Sequence, residues 1–252
     1  MKNRVISLDI SVLGFEEALG ACLDWASERK PGYACFSNAH MVVEALDNAE
    51  VQAAVNGASF AFADGMPVAK ALKWMYGIAQ ERIAGMDFIL PFLEGMQRRN
   101  LRVFVFGGSG KTHQMLKEKW PVSFPGLVWE GFSPRLAKEW SPEEYQEFEK
   151  MFLEFQPHAI LVILGCPKQE RFMGRLSGKI PALMLGLGGA LPTLLGLQSR
   201  APGWMQKAGL EWLFRFVQEP GRLWKRYLYT NTRFLLALAH ALWMKKMGEK
   251  HG

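Results

Sequence analysis

The chain has 252 residues, 49% of them hydrophobic and 21% charged. This excludes a disordered polymer and fits one large globular domain, or one domain with an appendage. The formal net charge of +6 is uneven: from residue 200 onward ten basic residues face only Glu211, Glu219 and Glu249, a net +7 that leaves −1 for everything before. Three cysteines, Cys22, Cys35 and Cys166, are odd in number and widely spread. They fit no zinc spacing and suggest a reducing compartment. The N-terminal stretch has no long apolar core, so no secretory signal is expected. No apolar run approaches the roughly 20 residues of a spanning helix; residues 234–244 come nearest but are too short and contain His240.

In chain order, residues 5–8 read as a short first strand. Residues 15–29 have apolar positions near helical spacing and end before Pro31-Gly32. Residues 33–36 form a second strand running into Ser37-Asn38-Ala39-His40, and residues 41–46 and 49–55 read as helices. Residues 59–63 make a third strand that stops at Asp64-Gly65-Met66-Pro67. A helix over 68–76 follows, closed by Gly77. A polar joint from Arg82 to Asp87 precedes a helix over 88–99. Residues 101–106 are a buried strand, followed by Gly107-Gly108-Ser109-Gly110 and a helix over 111–120. A short strand falls at 127–129. Ser141-Pro142-Glu143-Glu144 predicts a helix start, with Ser141 as N-cap, proline in the first turn and Glu144 completing a capping box.

The run from Ala159 to Leu164 is unbroken, apolar and partly β-branched, which predicts a strand buried on both faces. It stops at Gly165. Cys166-Pro167-Lys168-Gln169-Glu170 follows, with Pro167 suited to the first turn of the next helix. Residues 182–187 are the last strand, ending at Gly188-Gly189. Composition shifts at Arg200-Ala201-Pro202-Gly203, and 209–218 and 222–247 read as two helices broken at Glu219-Pro220-Gly221. The alternation predicts an α/β, Rossmann-like fold over residues 1–199, with a mostly parallel sheet and helices on both faces. A basic, aromatic-rich helical appendage is expected over residues 200–252.

Several predicted strands end in small or polar residues: Ser37-Asn38, Asp64-Gly65, Gly107-Gly108, Gly165 and Gly188-Gly189. In a parallel sheet these ends gather at one edge, where ligands bind. Glycine lets backbone N–H groups approach a phosphate, so the pattern points to a phosphate-bearing ligand. Lys168, Gln169 and Glu170 fall at the same edge. Residues 106–112, Phe-Gly-Gly-Ser-Gly-Lys-Thr, approach a P-loop, but Val105 stands where its first glycine belongs. Asp64 directly follows a strand, where a carboxylate serves either as a general base toward a hydroxyl or as a cap for the next helix. There is no Asp-x-Asp pair to hold a nucleotide-bound metal. His40 and His158 read as structural. In the tail, Arg215, Arg222, Lys225 and Arg226 alternate with Trp212, Phe214, Phe216, Trp224 and Tyr227. That pattern suits an anionic membrane surface or a pyrophosphate, and a nucleic-acid face is the lesser alternative.

Taken together and in order, Ser37-Asn38-Ala39-His40, Ala63-Asp64-Gly65, the segment from Glu81 to Asp87, Phe106-Gly107-Gly108, the segment from Gly165 to Glu170, Gly186-Leu187-Gly188-Gly189, the segment from Arg200 to Trp204, and the segments from Leu210 to Arg215 and from Glu219 to Arg222 resemble the WecG/TagA/CpsF glycosyltransferases, glycosyltransferase family 26. The resemblance implies transfer of a sugar from a UDP-sugar to a polyprenyl-diphosphate-linked saccharide, with inversion and without metal or cofactor. It places the chain at the inner face of the cytoplasmic membrane, in surface polysaccharide synthesis. It implies Asp64 as the base. It implies Ser37, Asn38, Gly65, Arg82, Gly107, Gly108, Gly165, Gln169, Glu170, Gly188 and Gly189 around the substrates. Arg215, Arg222 and Lys225 or Arg226 are implied over the pyrophosphate or the membrane. Two departures stand out: Ser37 occupies the place of a frequent threonine, and Lys225 that of an arginine, which alone makes bidentate contacts. N-acetylmannosamine, glucose and uronic acid donors all fit. A homo-oligomer is left open. A non-catalytic lipid-linked glycan-binding or membrane-binding protein, and a P-loop-like NTPase, are the alternatives.

Overall fold

The computed structural model describes residues 1–207 and 209–248, with only the backbone of Lys207 and Arg222. A hairpin of β1 (Lys2–Val5) and β2 (Leu8–Ser11) opens the chain. There follow α1 (Phe15–Ser27), β3 (Gly32–Ser37), α2 (Ala39–Asp47), α3 (Ala49–Asn56), β4 (Phe60–Ala63), α4 (Met66–Tyr76) and α5 (Gly85–Arg98). Next come β5 (Val103–Gly107), α6 (Gly110–Ser123), β6 (Trp129–Phe132), α7 (Pro142–Phe155), β7 (Ala159–Ile163), α8 (Lys168–Leu176), β8 (Leu183–Gly186) and α9 (Ala190–Leu194). The C-terminal part holds α10 (Gly203–Lys207), α11 (Glu211–Gln218) and α12 (Pro220–Gly248).

Six strands form one all-parallel sheet in the order β4-β3-β8-β7-β5-β6. This is the Rossmann-like α/β architecture that the alternation predicts. Side chains alternate between two cores. Tyr33, Cys35, Phe104, Phe106, Ile160 and Val162 enter one, while Ala34, Phe36, Val103, Val105, Leu161 and Ile163 enter the other. Burial on both faces is why these strands read as unbroken apolar runs. Helices α2, α3, α4, α7 and α8 cover the first face, and α1, α5, α6 and α9 the second. Phe106 stacks on Phe172 with centroids 4.5 Å apart, which locks β5 to α8. The capping box at Ser141 and Glu144 forms as predicted.

Three local readings change. The single strand expected at 5–8 is the turn of the β1–β2 hairpin. Ile6 adopts φ 58°, and Ser7 is held by its hydroxyl on the Val42 carbonyl, 2.7 Å. Pro167 caps α8 from outside rather than sitting in its first turn, and its bond to Cys166 is cis. The expected break at 219–221 shrinks to Glu219, since Pro220 already opens α12.

The helix α12 lies on the first face. Leu223, Thr230, Phe234 and Leu238 form its buried stripe, and Phe234 and Leu238 belong to the same core as the sheet. Tyr229 and Arg233 both bond the Asp47 carboxylate at the end of α2, at 2.6 and 2.8 Å. Among the described residues no helix is long and apolar enough to cross a membrane.

Candidate active site

The strand ends meet along one edge: Asp64 after β4, Ser37 on β3, Gly186 on β8, Gly165 after β7, Gly107 on β5. Helices after β4, β3 and β7 turn to the first face, those after β8 and β5 to the second. The helix direction therefore switches between β3 and β8, between β8 and β7 and between β7 and β5, and such switch points are the usual ligand position in parallel sheets. From Asp64 to Gly107 is four inter-strand steps of about 4.8 Å, or roughly 19 Å.

The β5–β7–β8 half is built on tight turns. Gly107 has φ 97°, and a Cβ there would lie 2.6 Å from the Ile163 carbonyl oxygen. The Gly108 N–H donates to that same oxygen at 2.9 Å. Gly107→Ala is therefore expected to cost about 1–3 kcal/mol from the backbone conformation alone, with the overlap added. A urea unfolding curve checks this, and an unchanged midpoint would contradict it. The Ser109–Thr112 contacts also bear on the P-loop alternative. The Thr112 hydroxyl accepts from the Ser109 N–H at 3.2 Å, so it serves the helix cap.

Gln169 and Glu170 face inward. The Gln169 amide donates to the Gly186 carbonyl at 3.0 Å and to Glu170 Oε1 at 2.8 Å, and its Oε1 accepts from the Gly165 N–H at 3.2 Å. Gln169 thus ties the end of β7 to the end of β8. Glu170 is fully buried. Burial pushes it up to about 7, opposed by the hydrogen bonds from Gln169 and the Cys166 thiol. Among the described residues its Oε2 and the buried Ser37 hydroxyl have no hydrogen-bond partner. Gly188, at φ 48°, packs against the Gln169 side chain and Gly165 Cα, and Gly189 precedes α9. Ser37, Gln169 and Glu170, three of the residues expected to contact substrate, are thus buried.

The β3–β4 half holds Asp64. Its N–H donates to the Ser37 carbonyl at 3.0 Å, and the Ala63 carbonyl accepts from the Ile83 N–H at 2.9 Å. The joint between α4 and α5 is thus fastened beside it, with Arg82 next in chain. Among the described residues no side chain or backbone group bonds the Asp64 carboxylate. The residue is half-buried at the end of β4. Burial pushes it up to about 7; Arg82 and Arg215 pull the other way, while Glu211 and Asp87 add to the rise. Gly65 lies against Asn38, where a Cβ would be 3.4 Å from the Asn38 Cβ. Asn38 caps α2 through its Oδ1, which accepts from the Met41 N–H at 3.2 Å.

The appendage roofs this half. Gly209, just before α11, packs on Met66 at the start of α4. Glu211 and Arg215, one turn apart on α11, both act on Asp64. Arg82 spans Glu211 Oε2 at 2.6 Å and Asp87 Oδ2 at 2.8 Å, and Arg200 bonds the other Asp87 oxygen. Arg226 lies beside His40, which burial first and Arg226 second push down to about 4. Lys225 is exposed against Trp224. The side chain of Arg222 lies outside the described residues. Glu211, Asp87 and Arg200 lie in segments that carry the family resemblance, but nothing in the sequence assigns any of them a role of its own. Among the described residues no group of three His, Cys, Asp or Glu side chains is arranged to hold a metal.

A doubly wound parallel sheet with glycine turns along its carboxyl edge defines an α/β protein of the Rossmann-like class. Within that class the chain belongs to the Glycosyl transferase WecG/TagA/CpsF family, whose match covers residues 3–248. It is therefore of the glycosyltransferase type. The family implies a role in surface polysaccharide synthesis, with a sugar-nucleotide donor and a lipid-linked acceptor.

Proposed function

We propose that the chain moves a sugar from a UDP-sugar to a polyprenyl-diphosphate-linked saccharide, with inversion and without a divalent metal, at the inner face of the cytoplasmic membrane. The observation that carries this reading is the half-buried Asp64 carboxylate at the carboxyl end of β4, without a hydrogen-bond partner among the described residues and with Arg82 and Arg215 acting on it, and pushed up to about 7. Such a group takes a proton near neutral pH. Asp64 accepts the proton of the acceptor hydroxyl as that oxygen attacks the anomeric carbon. The bond from that carbon to the diphosphate breaks on the opposite side, and UDP leaves with the electron pair. Backbone N–H groups of the glycine turns, together with Arg215, Arg222 and Lys225 or Arg226, would stabilise the charge UDP gains. Asn38 would contact substrate directly; Gln169 would act by holding the turns that do.

Residues 200–252 would face the membrane. Trp204, Trp212, Trp224, Leu228, Leu235 and Trp243 are all exposed there, interleaved with basic residues, as suits an anionic interface. This same surface favours the non-catalytic binding reading, which gives Asp64 no task. Metal independence is part of the proposal because the chain lacks an Asp-x-Asp pair. The test mixes the protein with UDP-N-acetylmannosamine, UDP-glucose and uronic UDP-sugars, a short-chain polyprenyl-diphosphate saccharide, and EDTA. Transfer from one donor at an undiminished rate is expected. Loss in EDTA would end the metal-free proposal. Silence with every donor and acceptor would leave the binding protein as the better reading.

A further inference from the structure

We propose that Glu211 is a positioning residue for Asp64: through it the appendage draws the Arg82 guanidinium into an ion cluster and keeps it off the carboxylate of Asp64. This inference rests on the reading of Asp64 as the base. Arg82 directly precedes Ile83, whose N–H is bonded to Ala63, the neighbour of Asp64. Its guanidinium is thus a cation within reach of Asp64, and its side chain is only 15% exposed. One edge is held by Asp87 at 2.8 Å, and Asp87 is itself held by Arg200. The other edge is held by Glu211 at 2.6 Å.

Without Glu211 that second edge loses its carboxylate and turns to Asp64, which already feels the Arg82 charge. An arginine paired to a carboxylate lowers its proton affinity by about one to three pH units. It also occupies the oxygens that the acceptor hydroxyl must meet. Glu211 adds its own negative charge near Asp64, which acts in the same direction. Among the described residues Asp87 from α5 and Arg215 from α11 are the other charged groups acting on Asp64, and a substitution at Glu211 alone changes neither side chain. Glu211 opens α11, so the docking of the appendage is what brings it to Arg82.

The test uses the full chain labelled with 13C at aspartate carboxyls, with the Asp64 signal assigned by its absence in Asp64→Asn. Wild type is expected to titrate near neutrality. Glu211→Gln should move that titration down by about one pH unit, tenfold in proton affinity. Adding Arg82→Gln to Glu211→Gln should bring it back up, because the competing cation is gone. Glu211→Asp, one methylene short of Arg82, should give a smaller move in the same direction and serves if the glutamine variant melts early. The acid limb of kcat/KM should follow the same order. An unmoved Asp64 titration in a folded Glu211 variant overturns the inference and reduces Glu211 to a tether. The carboxyl titration needs no turnover, so absence of transfer in wild type counts against the glycosyltransferase mechanism and not against this coupling.

Discussion

Asp64→Asn is expected to lower kcat by on the order of 10²–10⁴-fold, the usual contribution of a positioned general base, and to raise thermal stability above pH 7. The two effects share one cause. Burial holds the folded-state carboxyl at about 7, against 3.8 in the unfolded chain. A carboxyl raised in this way binds its proton more tightly when folded, so ionised Asp64 works against folding. That cost is absent below about pH 4, grows as pH rises, and is complete above about pH 7. Asparagine carries no charge and removes it. The melting temperature of the variant should therefore exceed that of wild type by a few degrees at pH 8, and the gap should close toward pH 4. Glu170, also pushed up to about 7, and His40, pushed down to about 4, move the stability of both proteins and cancel in the difference. Wild-type activity should show an acid limb near pH 7. Turnover within tenfold of wild type in a folded Asp64→Asn protein would remove Asp64 from the role.

Burial decided which parts of the fold could be read from the sequence. The central strands β5, β7 and β8 are covered on both faces, so they appear as apolar runs stopped by glycine, and their common edge could be inferred from those stops. The β1–β2 hairpin could not. Its turn is Ile6-Ser7, with no Gly or Asn to mark it. Distant side chains hold it: Asn56 donates to the Ser7 carbonyl at 3.2 Å and accepts from the Asp9 N–H at 2.8 Å. The short helix α9, five residues with Pro192 inside, is too brief for any periodicity to register.

The site divides along the same line. Asp64 and the glycines could be found because each follows a strand in sequence. The Arg82–Glu211 pair joins residues 129 positions apart, and such a contact leaves no local pattern in either segment. Gln169 is a third kind of case. Its motif marks the position but carries no information on direction, and at the first turn of α8 a long side chain can point out from the sheet edge or back beneath it. Glycines on either side favour the inward course. Gly186 leaves room for it, since a Cβ there would fall 3.0 Å from the Gln169 amide nitrogen.

That direction sets the second large expectation. Gln169→Ala should destabilise the protein by about 3–5 kcal/mol, because it strips partners from three groups at once, each worth about 1–3 kcal/mol when buried and unsatisfied. The Gly165 N–H, the Gly186 carbonyl and the Glu170 carboxylate each lose a bond to the one amide, Glu170 keeping the Cys166 thiol, and the residue is 4% exposed, so water does not readily replace it. The Glu170 bond gives the deficit a pH dependence. The amide N–H favours the ionised carboxylate and opposes the rise caused by burial. Its contribution is present above about pH 7 and fades as pH falls and Glu170 takes up its proton. Urea midpoints at pH 8 and pH 6 should therefore show the larger loss at pH 8. Activity should fall as well, through displacement of the Gly165 and Gly188 turns. A substrate-contacting glutamine makes the opposite forecast: kcat/KM lost, with the urea midpoint unmoved at both pH values. That result would mean that Gln169 abandons its three internal partners when substrate binds, and the turns would then have to be stable without it.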